Sequence, residues 1–283
     1  MRSDPRSWLF VPADSEKKIG KAIESEADAI IFDLEDSVVS TRKAAARDIL
    51  KGLGKRSGGP DWWVRVNPLG TAHHKDDLDL ISRSDVTGIV LPKAESGADV
   101  VELAHRTGNI PIHAIVTETA ASLFGLLSYR NPQSPLVAMS WGAEDLSAAL
   151  GASSKYDFDG ELAFTYKLAR SLCLAGAVAA GVQPVDGVFA DFRDDSGLRR
   201  ECEAAQREGF TGKLAIHPAQ VPVINDAFLP TPEEIGHAKA IIEAFEAEPD
   251  AGTISVGGRM VDRPHLDQAR RVLSRARGVA NDV

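Results

Sequence analysis

Three carboxylates, Asp33, Glu35 and Asp36, crowd into four positions at the end of the apolar run in IIFDLEDSV. A buried acid is costly unless it is paired, hydrogen-bonded or set against a cation. Chemistry-bearing residues also close other apolar runs. Arg65 and Asn67 follow WWV, Lys93 and Glu95 follow GIVL, and Glu118 follows IHAIV. Glu144 and Asp145 lie in WGAEDL, Asp191 follows PVDGVF, and His217 follows KLAI. Glu118 with Glu144 or Asp145 would make an all-oxygen pair. Carboxylates on neighbouring strands, about 4.8 Å apart, repel unless a cation or proton separates them. Magnesium suits such a pair, since it binds through one or two carboxylates and keeps waters or substrate oxygens elsewhere. The seven histidines are scattered, so no zinc cluster is indicated. Each residue also has a plain structural use. Glu35 or Asp145 could cap a helix, Arg65 could neutralise Glu35 or Asp36, Lys93 could close a salt bridge, and His217 could be a bonded wall residue. Asp33 has no assigned role: in strict alternation it shares a face with Glu35 rather than Asp36.

The elements that must position these groups repeat along the chain. Eight β-branched runs recur: SWLFVP, AIIFDL, WWVRVN, GIVLPK, IHAIVTE, LVAMSW, PVDGVF and KLAIHP. Continuous rather than alternating apolar character fits parallel strands covered on both faces. Helical stretches lie between them. DSEKKIGKAIES offers Asp14 or Ser15 as a cap, and STRKAAARDILKGLG offers Ser40 or Thr41 with Gly52 or Gly54 as a stop. DGELAFTYKLARSLCLAGAVAAG reads as one long helix ending near Gly181. TPEEIGHAKAIIEAFEAE has Thr231 as cap and Pro232 at the first helical position. Eight strands in a β-α repeat predict a (β/α)₈ TIM barrel, here over residues 1–249, of fold class α/β. A doubly wound open sheet usually has fewer strands, and its Gly-rich first turn is missing. Residues 250–283, a Gly-rich hairpin followed by a basic helix, would form a C-terminal lid or oligomerisation arm. On a barrel, the residues at the C-terminal strand ends make the active site.

The 283 residues are 43% hydrophobic, enough for a sizeable core, and carry a net charge of −9. That charge argues against nucleic acid, whose phosphates need a basic face. No run approaches the roughly 18 apolar residues needed to span a bilayer. No signal peptide is expected at the N-terminus, and two isolated cysteines, Cys173 and Cys202, suit a reducing, cytoplasmic setting.

RSWLFVPADSEKK, AIIFDLEDSV with KAAAR, VRVNPLGT, GIVLPKAES, IVTETA, WGAEDLSAALG and LAIHPAQV occur in order over nearly the whole chain. Together they resemble the citrate lyase β-subunit-like CoA-ester lyases of the HpcH/HpaI aldolase superfamily. The resemblance implies a barrel assembled as a homotrimer or dimer of trimers. It implies Mg²⁺-dependent (or Mn²⁺-dependent) C–C cleavage of a 3-hydroxyacyl-CoA such as malyl-, methylmalyl- or citramalyl-CoA, giving an acyl-CoA and a 2-oxo acid. Glu118 and Asp145 resemble the metal ligands. Arg65 resembles the arginine that binds substrate and steadies a thioester enolate, and Glu35 and Asp36 the acids near the metal and its waters. Glu118 and the turn Gly142, Ala143 and Glu144 are expected to face substrate. Lys17, Lys21 and His217 are expected to meet CoA. Asp262, in GGRMVDRPH, resembles an acid/base that reaches a neighbouring subunit's site. Ala13 stands where the family commonly has glycine, and Ala149 where it often has aspartate; Arg263 and His265 replace residues that are often apolar. A thioesterase on the same scaffold and an acyl-carrier-protein-dependent citrate lyase β subunit are the alternatives.

Overall fold

A computed structural model describes residues 4–54, 58–131 and 133–280, the last four of these by backbone alone. Eight parallel strands close into a barrel in sequence order. They are β1 (Ser7–Pro12), β2 (Ala29–Asp33), β3 (Asp61–Arg65), β4 (Gly88–Leu91), β5 (Ile112–Ile115), β6 (Leu136–Ser140), β7 (Gln183–Asp186) and β8 (Gly212–Ala215). All eight expected runs are strands. Most stop before the polar residues that end each run, which leaves Glu35, Lys93 and Glu118 on the loops beyond and Asp145 in the first turn of the helix after β6.

The barrel interior is filled by Trp8, Ile31, Trp63, Val90, Ile115, Ala138, Val185 and Leu214, one from each strand. Trp8 packs at 4.9 Å from the Trp63 ring and 4.6 Å from the fully buried His113 ring. Gly88 is required beside them, since any Cβ there would stand 2.2 Å from the Trp63 ring. Burial of these large side chains supplies the main stabilisation, at roughly 25 cal/mol per Å² of apolar surface.

Helices α1 (Glu16–Ile23), α2 (Lys43–Lys51), α3 (His74–Ile81), α4 (Gly97–Thr107), α5 (Ser122–Gly125), α6 (Ala143–Ala149), α7 (Phe164–Ala180), α8 (Asp195–Glu208) and α9 (Gln220–Ala227) follow the strands. Ser15 caps α1 as expected, and left-handed Gly181 ends α7. Two expectations are corrected. Ser40 and Thr41 lie in a 3-10 turn, so α2 begins at Lys43 without a side-chain cap. The long helix starts at Phe164, because Gly160 turns at φ +80° and Tyr156 bridges Leu162 ahead of it.

A second compact unit holds the described residues from Asp226 onward, with Asp4. It contains α10 (Pro232–Ala247), the hairpin β9 (Thr253–Val256) and β10 (Arg259–Asp262), and α11 (Arg263–Ala280). Thr231 and Glu234 form the reciprocal cap of α10, with Pro232 inside the first turn. Gly257 and Gly258 turn the hairpin at φ +57° and +77°, as a two-residue loop of this hand requires. Ala238, Ile241 and Phe245 of α10 pack with Val261, Leu266 and Ala269. This shared core places α10 with the hairpin and α11, so the unit starts upstream of the 249/250 division expected from sequence.

Candidate active site

Strands β2 and β3 pair in register, with Asp33 opposite Arg65. Both continue the inward-facing series of Ile31 and Trp63, so they meet inside the barrel just above the hydrophobic layer. Arg65 Nε donates to Asp33 Oδ1 and Arg65 Nη2 to Asp33 Oδ2, both at 2.7 Å. Asp33 also accepts the main-chain N–H groups of Glu35 and Ser37 at 2.9 and 3.0 Å. Burial works to raise the Asp33 carboxyl, but Arg65 and these hydrogen bonds outweigh it and hold it below its ordinary range. Burial likewise works against the Arg65 charge, while Asp33, Glu35 and Glu118 more than offset it. The guanidinium lies 4.7 Å over the Phe10 ring. Asp33, without a role in the sequence reading, is therefore the main anchor of Arg65. Register and alternation together were the signal that could have found it.

Glu35 is also buried, and its Oε2 lies 3.0 Å from Arg65 Nη1 without making a hydrogen bond. Its Oε1 takes an ion pair from Lys93. Asp36 does not share Arg65. It pairs with Lys93 at 3.1 Å, and Asp145 stands 3.3 Å from the same ammonium. Lys93 thus joins acids from the β2 loop and from the first turn of the helix that follows β6. Its main-chain N–H donates to Glu118 Oε2 at 2.6 Å. Burial above all, with a smaller push from Asp145, lifts the Glu118 carboxyl to about 8 against the pull of that N–H, Arg65 and Lys93. Five carboxylates, Asp33, Glu35, Asp36, Glu118 and Asp145, here face two cations, Arg65 and Lys93.

Gly142, the residue before α6, leaves the space in which Glu118 sits. A Cβ at Gly142 would stand 2.8 Å from Glu118 Cγ and 3.1 Å from Oε1. Neither Glu35 nor Asp145 caps a helix: Gly142 holds that place at α6, and Asp145 lies in its first turn. Ala143 adjoins the same turn, whereas exposed Glu144 turns to an ion pair with Lys155.

The loops carrying these acids rest on a polar network not foreseen from sequence. Buried Lys43 donates to the carbonyls of Leu34 and Glu35, each at 2.8 Å, and to Asn67 Oδ1. Asn67 in turn donates to buried Asp77, which Arg47 holds at 2.8 Å. His74 Nδ1 meets the Asn67 carbonyl at 2.7 Å. KAAAR therefore supports the β2 and β3 loops from below.

Other expected residues stand apart from this cluster. Lys17 and Lys21 are exposed on α1. His217 is exposed beyond β8, stacked at 4.6 Å on Phe192. Asp262 ends β10 in the second unit, where a hydrogen bond from His265 keeps its carboxyl below the ordinary range. Cys173 and Cys202 are buried free thiols. Among the described residues no helix is long and apolar enough to cross a membrane.

Comparison with known proteins finds similar sequences and a similar fold over nearly the whole chain. The profile of the HpcH/HpaI aldolase/citrate lyase family covers residues 6–218. The citrate lyase subunit beta-like protein of Mycobacterium tuberculosis is 38% identical over 277 residues, 98% of this chain and 97% of the relative. A (3S)-malyl-CoA thioesterase of Cereibacter sphaeroides is 37% identical, covering 97% and 95% of the two chains. The mitochondrial citramalyl-CoA lyase of Rattus norvegicus is 33% identical, covering 97% and 86%. The crystal structure of CitE from Mycobacterium tuberculosis with magnesium, acetoacetate and coenzyme A superposes with a TM-score of 0.84 at 36% identity, over 98% of this chain and 99% of that one.

Proposed function

Because the chain belongs to the HpcH/HpaI aldolase/citrate lyase family, we propose that it is a Mg²⁺-dependent CoA-ester lyase that cleaves or forms a C–C bond in a malyl-, methylmalyl- or citramalyl-CoA-like thioester. The observation that carries this reading is the fixed Arg65 guanidinium beside the acid pair Glu118 and Asp145. The donor set fits a hard divalent cation. It is all oxygen, it carries more negative than positive charge, and Glu118 occupies a space that only glycine at position 142 leaves open. Glu118 and Asp145 would hold the cation. When bound it supplies Lewis-acid polarisation of the substrate's hydroxyl or keto oxygen.

The chain's own residues do the rest. C–C cleavage leaves the electron pair on the thioester as an enolate. Arg65, already oriented by Asp33, offers a preorganised positive charge to that oxygen without reorganising during the reaction. Glu35, braced by Lys93, orients Arg65, while Asp36 holds the Lys93 ammonium in place. Asp262 delivers the proton to the enolate carbon, or removes it in the synthetic direction. We assign this to a homotrimer or dimer of trimers, with the C-terminal unit serving a neighbouring subunit. Lys17, Lys21 and His217 are assigned to CoA, and the turn Gly142, Ala143 and Glu144 to the substrate through its main chain. In D262N, exchange of acetyl-CoA methyl protons is expected to stop; unchanged exchange would remove Asp262 from the mechanism.

The thioesterase reading draws on the 37% identity to the (3S)-malyl-CoA thioesterase. Mass spectrometry of the products separates the two. A 2-oxo acid with acyl-CoA marks the lyase, and a free hydroxydicarboxylate with CoA marks the hydrolase.

A further inference from the structure

Among the described residues, Lys93 is the one non-glycine with a positive φ, +52°. A long side chain seldom adopts this left-handed region, and such strain persists where the surroundings fix it. Here they do so from both ends of the residue. The main-chain N–H holds Glu118 at 2.6 Å, while the ammonium sits among Glu35, Asp36 and Asp145. The two actions are chemically separate. Any residue at position 93 that keeps this backbone presents the N–H to Glu118. Only the lysine side chain supplies the charge. Asp145 is at 3.3 Å from the ammonium, longer than the contacts to Glu35 and Asp36.

We propose that Lys93 is a positioning residue whose ammonium acts as a resident cation of the acid cluster, ordering Glu35 and Asp36 while holding down the site's affinity for a divalent cation. This rests on the cation reading of Glu118 and Asp145 given above. The ammonium and a divalent cation on those ligands repel each other. The ligands themselves are kept in place by other means: Glu118 by the residue 93 N–H and the Gly142 space, Asp145 by α6. Removal of the charge therefore changes the electrostatics more than the ligand geometry.

The test is titration of Mn²⁺ by calorimetry, without substrate, into wild type, K93M, K93R and E118Q. K93M is expected to bind Mn²⁺ at least about tenfold tighter, since a unit charge within a few ångströms acts strongly at partly buried sites. K93R, which keeps the charge, should stay close to wild type. K93G accepts the positive φ and retains the main-chain donor, so it should tighten binding as K93M does and covers the case in which K93M does not fold. A gain in affinity is a result that structural damage would not give. Equal or weaker binding by both K93M and K93G, with E118Q still abolishing it, overturns the role of Lys93 alone. No Mn²⁺ binding in the millimolar range by wild type, K93M and K93G alike overturns the cation reading and this inference together.

Discussion

At the level of single residues, the site depends on fork geometry as much as on charge. Arg65 meets Asp33 through two parallel N–H bonds, a pattern lysine cannot reproduce. R65K is expected to lose about 100-fold in kcat/KM, of the size seen when one aligned donor to a developing oxyanion is removed, with Mn²⁺ affinity within a few-fold of wild type. D33N should lose activity similarly and unfold more easily by about 3 kcal/mol in urea, because a buried guanidinium is left short of its charge partner. Glu118 gives a pH prediction. Its folded carboxyl, near 8, lies above its ordinary 4.5, so in that window the folded metal-free protein binds a proton that the unfolded chain does not. Stability of the metal-free protein therefore falls as pH rises through the window. Uptake of Mg²⁺ below about pH 8 should also release a proton. Calorimetry in buffers of differing ionisation enthalpy reads that proton, and its number should fall toward zero as the pH is raised above about 8.

At the level of elements, strand ends and helix starts supply the walls of the site. G142A would push a methyl into the Glu118 side chain at the β6–α6 turn. Its Mn²⁺ affinity is expected to fall by about tenfold, the lower end of what disturbed ligand support costs. Away from the mouth, β7 and β8 are tied by a fully buried ion pair, Lys213 to Asp186 at 2.9 Å. Asp186 also takes Trp141 Nε1 at 2.7 Å and Arg170 Nε at 2.8 Å. Burial opposes its charge, but Lys213 and Arg170 outweigh it and bring the carboxyl down to about 2. The support it lends is therefore present above its ordinary 3.8 and is lost as pH falls toward about 2. D186N is expected to cost about 3 kcal/mol near neutral pH, since it leaves Lys213 and Arg170 short of a carboxylate. The difference from wild type, measured by urea unfolding, should shrink between about pH 4 and pH 2.

At the level of the whole molecule, the barrel and the C-terminal unit carry different parts of the proposed machinery. Glu118 lies in one and Asp262 in the other. If Asp262 serves a neighbouring subunit, E118Q and D262N chains, each inactive alone, will regain activity when unfolded, mixed and reassembled. A mixture that stays inactive would count against action in trans. The mixed assembly also contains intact pairs only where the two variants meet, so recovery should follow their ratio.

The fold was legible in the chain because each signal was local. Each apolar run with its polar end, and each cap, at Ser15 and at Thr231, spans only a few consecutive residues, and periodicity with capping chemistry reads them directly. The motifs around Arg65, Glu118 and Asp145 likewise lie at the C-terminal ends of the strands, the end at which barrel enzymes carry their sites. Partner identity was not local. Asp33 meets Arg65 only because β2 and β3 align in register and both side chains point inward. Asp36 goes to Lys93 because the β4 loop turns through a left-handed residue. Lys43 and Asp77 support the β2 and β3 loops only once α2 and α3 have docked outside the strands. The sequence by itself determined which residues reach the mouth of the barrel. Tertiary structure decided which acid faces which cation, since a pairing of charges depends on distances that only strand register and barrel closure set.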